Sequence, residues 1–186
     1  MNEKLRNSVL TTIRSKGYER RKEPFVLSSG KLSYDYVDLR KAFCSGNALK
    51  QAGLLLIDYI VDILHPQNSL TIGGMTMGAD PLAHAVSVIS GWNWFSVRKQ
   101  EKSHGTQNLI EGTPITKGTK VVVIEDTTTT GSSLFKAISA VKACGGEILL
   151  AISMLNRSTK AQELLSKNDI KFLSIFTYED LSIDPI

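Results

Sequence analysis

Leu5, Val9, Leu10 and Ile13 recur at helical spacing and predict an amphipathic helix over residues 3–16. The period then changes. Two short β-prone runs within Pro24 to Asp38 flank the turn signal Ser28-Ser29-Gly30-Lys31 and predict a hairpin. Residues 41–64 return to a helical pattern, with Leu49, Leu56, Ile60 and Leu64 near one side, and Pro66 to Ser69 ends it. From there short strands and helices alternate. Strands are expected over 70–74, 92–97, 121–124, 148–155 and 170–177, and helices over 81–89, 134–144 and 159–167. Such alternation reads as an α/β fold.

One stretch fits neither period. Arg98 to Gly112 is polar, and Arg98, Lys99, Lys102 and His104 gather four cationic or donor side chains within it. A loop of this length inside a compact domain is usually a functional lid or disordered. The bland alternative is a solvated charge run.

The most informative stretch is Val121 to Ser133, VVVIEDTTTTGSS. Its four β-branched residues predict a strand buried on both faces. Glu125 and Asp126 then fall at the strand's carboxyl end, where open α/β sheets bind ligands. Thr127, Thr128, Thr129, Thr130, Gly131, Ser132 and Ser133 lead into a helix start. Free backbone N–H groups and the positive helix end there favour a phosphate monoester. Carboxylates beside a phosphate cradle suggest a sugar phosphate, with acceptors for ribose hydroxyls and donors for the phosphate. Read as structure alone, the acids are solvated and the threonines are helix caps. Neither GxxxxGK[ST] nor GxGxxG occurs in the chain.

The 186 residues fit one domain, and 42% hydrophobic content allows a sizeable core. A net charge of +4 suits an anionic substrate and is too small and dispersed to argue for nucleic acid. Cys44 and Cys144 are expected to be buried apolar thiols, and His65 and His84 structural. The charged amphipathic N-terminus lacks a signal-peptide core. The apolar stretch 52–64 is short and carries Asp58 and Asp62, so no membrane span is expected. A cytoplasmic protein is expected.

The strand–acids–Thr-Gly-Ser order resembles the ribose-phosphate signature of type I phosphoribosyltransferases. Two further matches narrow the resemblance to orotate phosphoribosyltransferases. Phe25, Leu27, Ser29, Gly30 and Ser33 match an F-x-L-x-S-G-x-x-S segment, and residues 98–105 match the R-K-x-x-K-x-H-G catalytic loop. The likeness runs from about Phe25 to Arg157. Ser28 and Met77 stand where many bacterial relatives carry lysines.

This resemblance implies the type I phosphoribosyltransferase fold. A central, mainly parallel sheet is flanked by helices, with a small N-terminal hood (about 18–40) and a mobile lid loop (about 98–112) on one domain of residues 1–186. It implies transfer of the phosphoribosyl group of 5-phosphoribosyl 1-diphosphate (PRPP) to orotate, giving orotidine 5′-monophosphate and diphosphate, a step of pyrimidine (UMP) biosynthesis. Residues Arg98, Lys99, Lys102, His104, Glu125, Asp126 and Thr127 to Ser133 would bind PRPP, and Thr129 and Arg157 would bind orotate. Lys102 and Asp126 would carry catalysis. Mg²⁺ would be held mainly by the substrate, with no protein-built metal site. A homodimer that shares the lid between subunits is also implied, without a nucleic-acid or membrane partner. Asp80 is expected either to orient the turn before its helix or a metal-bound water, or to cap that helix. Alternatives are a phosphoribosyltransferase for another nucleobase, and a ribose-diphosphate-sensing nucleic-acid-binding regulator on the same fold.

Overall fold

The computed structural model describes residues 2–26, 30, 32–100 and 109–186. The chain opens with α1 (Glu3–Thr12), capped by Asn2, whose side chain accepts from the Leu5 amide. A π-helical turn, Ile13–Gly17, completes the expected helix and feeds β1 (Tyr18–Val26). β1 pairs antiparallel with β2 (Leu32–Val37), which gives the predicted hairpin a longer first strand than its sequence signal suggested.

The helix expected over 41–64 is broken. α2 (Leu39–Ala42) is capped by Asp38, which accepts from the Arg40 and Lys41 amides at 3.0 and 3.3 Å. α3 (Gly46–Leu64) starts afresh from Ser45, whose hydroxyl accepts from the Ala48 amide. Both caps are good helix starters, and they override a periodicity that runs through the break.

The other elements follow as β3 (Thr71–Met75), α4 (Asp80–Ser90), β4 (Asn93–Val97), β5 (Ile110–Gly112), β6 (Lys120–Thr128), α5 (Ser132–Ala143), β7 (Glu147–Asn156), α6 (Lys160–Ser166) and β8 (Phe172–Thr177). The main sheet has the order β5-β4-β3-β6-β7-β8. All its pairings are parallel except β4 with β5. Thus residues 110–112, expected at the end of a lid, form an edge strand instead.

β6 lies inside this sheet, between β3 and β7. Its side chains alternate between two cores. Val122 and Ile124 join Leu56, Ile60 and Ile72, while Val121 and Val123 join Leu134, Ile138 and Val141. Period-two alternation with apolar residues on both sides is what a doubly covered parallel strand requires. Phe95 is fully buried, whereas Trp94 is partly exposed and meets His84 edge-on with ring centroids 4.6 Å apart.

Cys44 and Cys144 are exposed, not buried as expected; each lies at the end of a helix rather than inside a core face. The segment after Tyr178 packs against the domain. Ile183 and Ile186 are buried, and the Ile186 amide donates to the Arg157 carbonyl at 2.8 Å. Among the described residues no helix is long and apolar enough to cross a membrane.

Gly74 lets β3 approach β6. A Cβ there would stand 2.0 Å from the Ile124 carbonyl oxygen and 2.7 Å from Ala79 Cβ. Gly74→Ala is therefore expected to cost about 1–3 kcal/mol by overpacking. In a chain of this size that lowers the thermal midpoint by roughly 2–4 °C per kcal/mol. Gly46→Ala, whose new methyl would meet open space, is the control and should shift the midpoint little in the same thermal melts.

Candidate active site

β6 delivers the acid pair to the sheet's carboxyl edge and runs on to Thr128, so Thr127 and Thr128 are strand residues and the turn is only Thr129 to Gly131. Two adjoining pockets open there. A cleft of about 440 Å³ is lined by Asp38, Arg40, Met75 to Gly78, Lys99, Glu125, Asp126, Thr127 and Ser133, among others. A smaller pocket of about 270 Å³ is enclosed by Glu125 and Thr127 to Leu134.

The smaller pocket has the makings of an anion cradle. Gly131 sits at the helix N-cap with φ 78°, a left-handed conformation that glycine adopts without strain. Having no side chain, Gly131 provides no cap to the first amides of α5. The Ser132 amide donates to the Thr130 hydroxyl at 3.4 Å, and the other first-turn amides and the helix dipole lie at the pocket that Ser132 and Ser133 line. The Thr130 and Ser132 hydroxyls lie 2.9 Å apart. Thr128 differs from the sequence expectation. Its hydroxyl is buried against Ser153 and Asn156, at 3.2 and 3.1 Å, so its hydroxyl is committed within the sheet.

The acids sit unequally. Glu125 is 6% exposed, and its Oε2 is buried without a hydrogen-bond partner. Burial first, and the Asp126 charge second, raise its carboxyl well above the ordinary value. Asp126 is more open. Its Oδ1 accepts from the Thr127 amide at 2.7 Å. Behind it stands Gly78, where a Cβ would lie 2.6 Å from Asp126 Oδ1 and 2.8 Å from its Cγ.

The 75–80 turn is braced by Asp80. The Thr76 hydroxyl donates to Asp80 Oδ2 at 2.7 Å, and the Ser96 hydroxyl bonds its other oxygen. Ala79, not Asp80, occupies the N-cap, so the capping reading of Asp80 does not hold. The Thr76–Met77 peptide is cis. Met77 is 65% exposed and lines the larger cleft.

Arg157 lies at the end of β7 and is buried, with Nε and Nη2 lacking hydrogen-bond partners. Burial lowers its pKa, and the charges of Asp35 and Tyr18 in the hairpin act against that shift. Its amide donates to the Thr128 carbonyl at 2.8 Å, which ties it to the strand of the acid pair. Unpartnered guanidinium donors in a dry setting mark a place for a planar anion.

Arg98 and Lys99 stand at the root of the cationic segment. The Arg98 amide donates to the Leu109 carbonyl at 2.8 Å, and the Arg98 side chain lies 3.7 Å from Glu111. Lys99 reaches the larger cleft. Lys102, His104 and the Leu27 to Ser29 part of the hairpin turn lie outside the described residues. Among the described residues no group of three or more His, Cys, Asp or Glu is arranged to hold a metal ion. Sequence reasoning did not single out Arg40 or Asp38, which the α2 start brings to the cleft.

Comparison with known proteins decides the family. The phosphoribosyl transferase domain family matches residues 47–179. Orotate phosphoribosyltransferase of Mycobacterium tuberculosis is 38% identical over 160 residues, covering 85% of this chain and 87% of that protein. The chain belongs to the orotate phosphoribosyltransferases. A solved structure of the M. tuberculosis orotate phosphoribosyltransferase in complex with PRPP covers 96% of this phosphoribosyltransferase and 99% of that chain, at 33% identity and a TM-score of 0.79. The Aeropyrum pernix orotate phosphoribosyltransferase structure covers 95% of each chain, at 30% identity and a TM-score of 0.78. The mainly parallel sheet with flanking helices is thus the fold of the family.

Gly78→Ala should displace Asp126 and raise the Michaelis constant for PRPP at least tenfold in steady-state assays. For Glu125 the sign is set by its raised folded-state pKa. The protonated form is favoured on folding, so its stability contribution is fully present below the ordinary glutamate value and is lost as pH rises through the folded value. Glu125→Gln should therefore raise the thermal midpoint at neutral pH, hardly change it near pH 4, and weaken PRPP binding.

Proposed function

We propose that this chain uses PRPP and orotate to make orotidine 5′-monophosphate and diphosphate, as one phosphoribosyltransferase domain with the β1–β2 hairpin as its hood. The observation that carries the orotate assignment is Arg157, buried with two unpartnered guanidinium nitrogens beside the strand of the acid pair. Planar, paired donors suit the carboxylate and ring oxygen of orotate, and Thr129 lines the phosphate pocket next to Thr128, whose carbonyl accepts from the Arg157 amide. A purine base offers no carboxylate to that arginine.

The bond between the anomeric carbon and the diphosphate oxygen breaks, one from that carbon to an orotate ring nitrogen forms, and the proton of that nitrogen passes to the released diphosphate or to water. The ribose acquires positive charge while the leaving group gains negative charge. Glu125 offers its buried, unpartnered oxygen to the ribose hydroxyls, and Asp126, the more open acid, accepts from them and keeps negative charge beside the reacting sugar. The amides and hydroxyls of Thr129 to Ser133 hold the 5′-phosphate. Thr127 contributes its pocket-facing position, and Thr128 contributes its backbone. Arg98, Lys99, Lys102 and His104 close on the diphosphate, with Lys102 as the principal transition-state donor. Catalysis is positioning plus electrostatic stabilisation.

The donor set fits Mg²⁺ held mainly by substrate oxygens and water. Two carboxylates are at hand, one with an unpartnered buried oxygen. Mg²⁺, when bound, neutralises charge on the diphosphate oxygens. A homodimer with a shared lid, working in the cytoplasm, completes the reading.

Purified protein should consume orotate with PRPP in an ultraviolet assay and lose turnover on chelation of Mg²⁺. Hypoxanthine, adenine or uracil consumed in place of orotate would overturn the assignment. Arg157→Ala should raise the Michaelis constant for orotate roughly tenfold or more, as expected for losing charge-assisted hydrogen bonds, and that for PRPP much less. Lys102→Ala should fold, bind orotidine monophosphate and lose turnover by roughly 100- to 1,000-fold.

A further inference from the structure

We propose that Arg40 binds the diphosphate end of the sugar phosphate in the larger cleft, on a guanidinium held in place by Asp38. The proposal rests on the PRPP reading above and assigns a residue that reading did not use.

The diphosphate of PRPP brings several negative charges to a cleft whose floor already carries Glu125 and Asp126. Cations must offset both. Among the described residues lining this cleft, only Arg40 and Lys99 are cationic. The 75–78 wall is neutral, with Met77 extending an apolar side chain from it. Lys99 lies on the cationic segment, whereas Arg40 lies in the first turn of α2 and is anchored there.

That anchor is a two-point grip. Arg40 Nε lies 3.2 Å from Asp38 Oδ1, and Arg40 Nη2 lies 3.3 Å from Asp38 Oδ2. The grip uses one edge of the guanidinium, and Nη1 is left for another acceptor. Asp38 does not simply cancel the arginine's charge. The same carboxylate also accepts from two backbone amides at the α2 start, which share its charge. The Arg40 side chain remains 53% exposed, so a ligand entering the cleft can reach it. The field of Asp126 also acts on Arg40, which places the two charges within one site.

The 5′-phosphate is an unsuitable partner for this arginine. The smaller pocket is built from Glu125 and residues 127–134 and does not include Arg40. Arg40 instead shares its cleft with the 75–78 turn and Lys99, whereas Thr128 to Ser132 line only the smaller pocket. A guanidinium fixed along one edge loses little freedom when it binds a second oxyanion, which favours a phosphoryl oxygen there.

Calorimetric titration of the full chain with magnesium diphosphate, and separately with ribose 5-phosphate, tests this without turnover. Arg40→Met is expected to weaken diphosphate binding about tenfold or more and to leave ribose 5-phosphate within twofold. Adding Met77→Lys to that variant puts a cation back into the same cleft and should recover part of the loss. Arg40→Lys, which keeps a charge but gives up the two-point grip, should fall between wild type and Arg40→Met. Equal loss for both ligands, no loss for either, or a folded Arg40→Lys as weak as Arg40→Met would overturn the proposal. If Arg40→Met does not fold, Met77→Lys alone decides: it should tighten diphosphate binding, and unchanged affinity contradicts the assignment. Orotate consumption by the wild-type chain is read separately, so failure of the overall reaction would be distinguishable from failure of this residue's role.

Discussion

A strand buried on both faces that ends in two adjacent carboxylates is the constraint from which the site follows. β6 spends its side chains on two cores through Ile124, and the next residue is an acid with 6% of its surface exposed. Packing therefore fixes where the acids stand. It also denies Glu125 water, and one of its oxygens has no partner. An unmet buried acceptor is costly for folding and useful for binding, because a ligand hydroxyl that reaches it replaces no competing bond. Arg157 repeats the arrangement with opposite charge, two guanidinium nitrogens unmet in a buried setting tied to the same strand. The protein holds both groups in place before substrate arrives, which is the preorganisation that electrostatic catalysis requires.

Close backbone approach sustains that arrangement. Gly74 lets β3 lie against the Ile124 carbonyl, and Gly78 leaves room for the Asp126 carboxylate. Asp80 then holds the intervening turn through Thr76 and Ser96. Three elements distant in sequence thereby share one cleft: the α2 start, the 75–80 turn and the end of β6.

Much of this was legible in the chain. The apolar run before Glu125 announced a doubly buried strand, and the hydroxyl-rich approach to Gly131 announced an uncapped helix start. Arg157 was visible only through resemblance, because nothing in its local sequence says that it is buried. Other features were hidden for physical reasons. Helical periodicity ran on across Phe43 to Ser45, and the caps at Asp38 and Ser45, which break the helix and bring Arg40 to the cleft, did not interrupt it. The burial of Ile186 has no local signal, because the partner of its amide, the Arg157 carbonyl, lies far away in sequence. The cysteines were misjudged because composition says how often a thiol is buried, and their places at helix ends settled the matter.

The most direct test of the central claim is a crystal structure of the chain with PRPP and Mg²⁺. The account predicts the ribose hydroxyls within hydrogen-bond distance of Glu125 and Asp126, with the 5′-phosphate against the amides at the start of α5. A sugar phosphate bound with its hydroxyls away from both carboxylates, or with its 5′-phosphate outside the Thr129 to Ser133 turn, would contradict it.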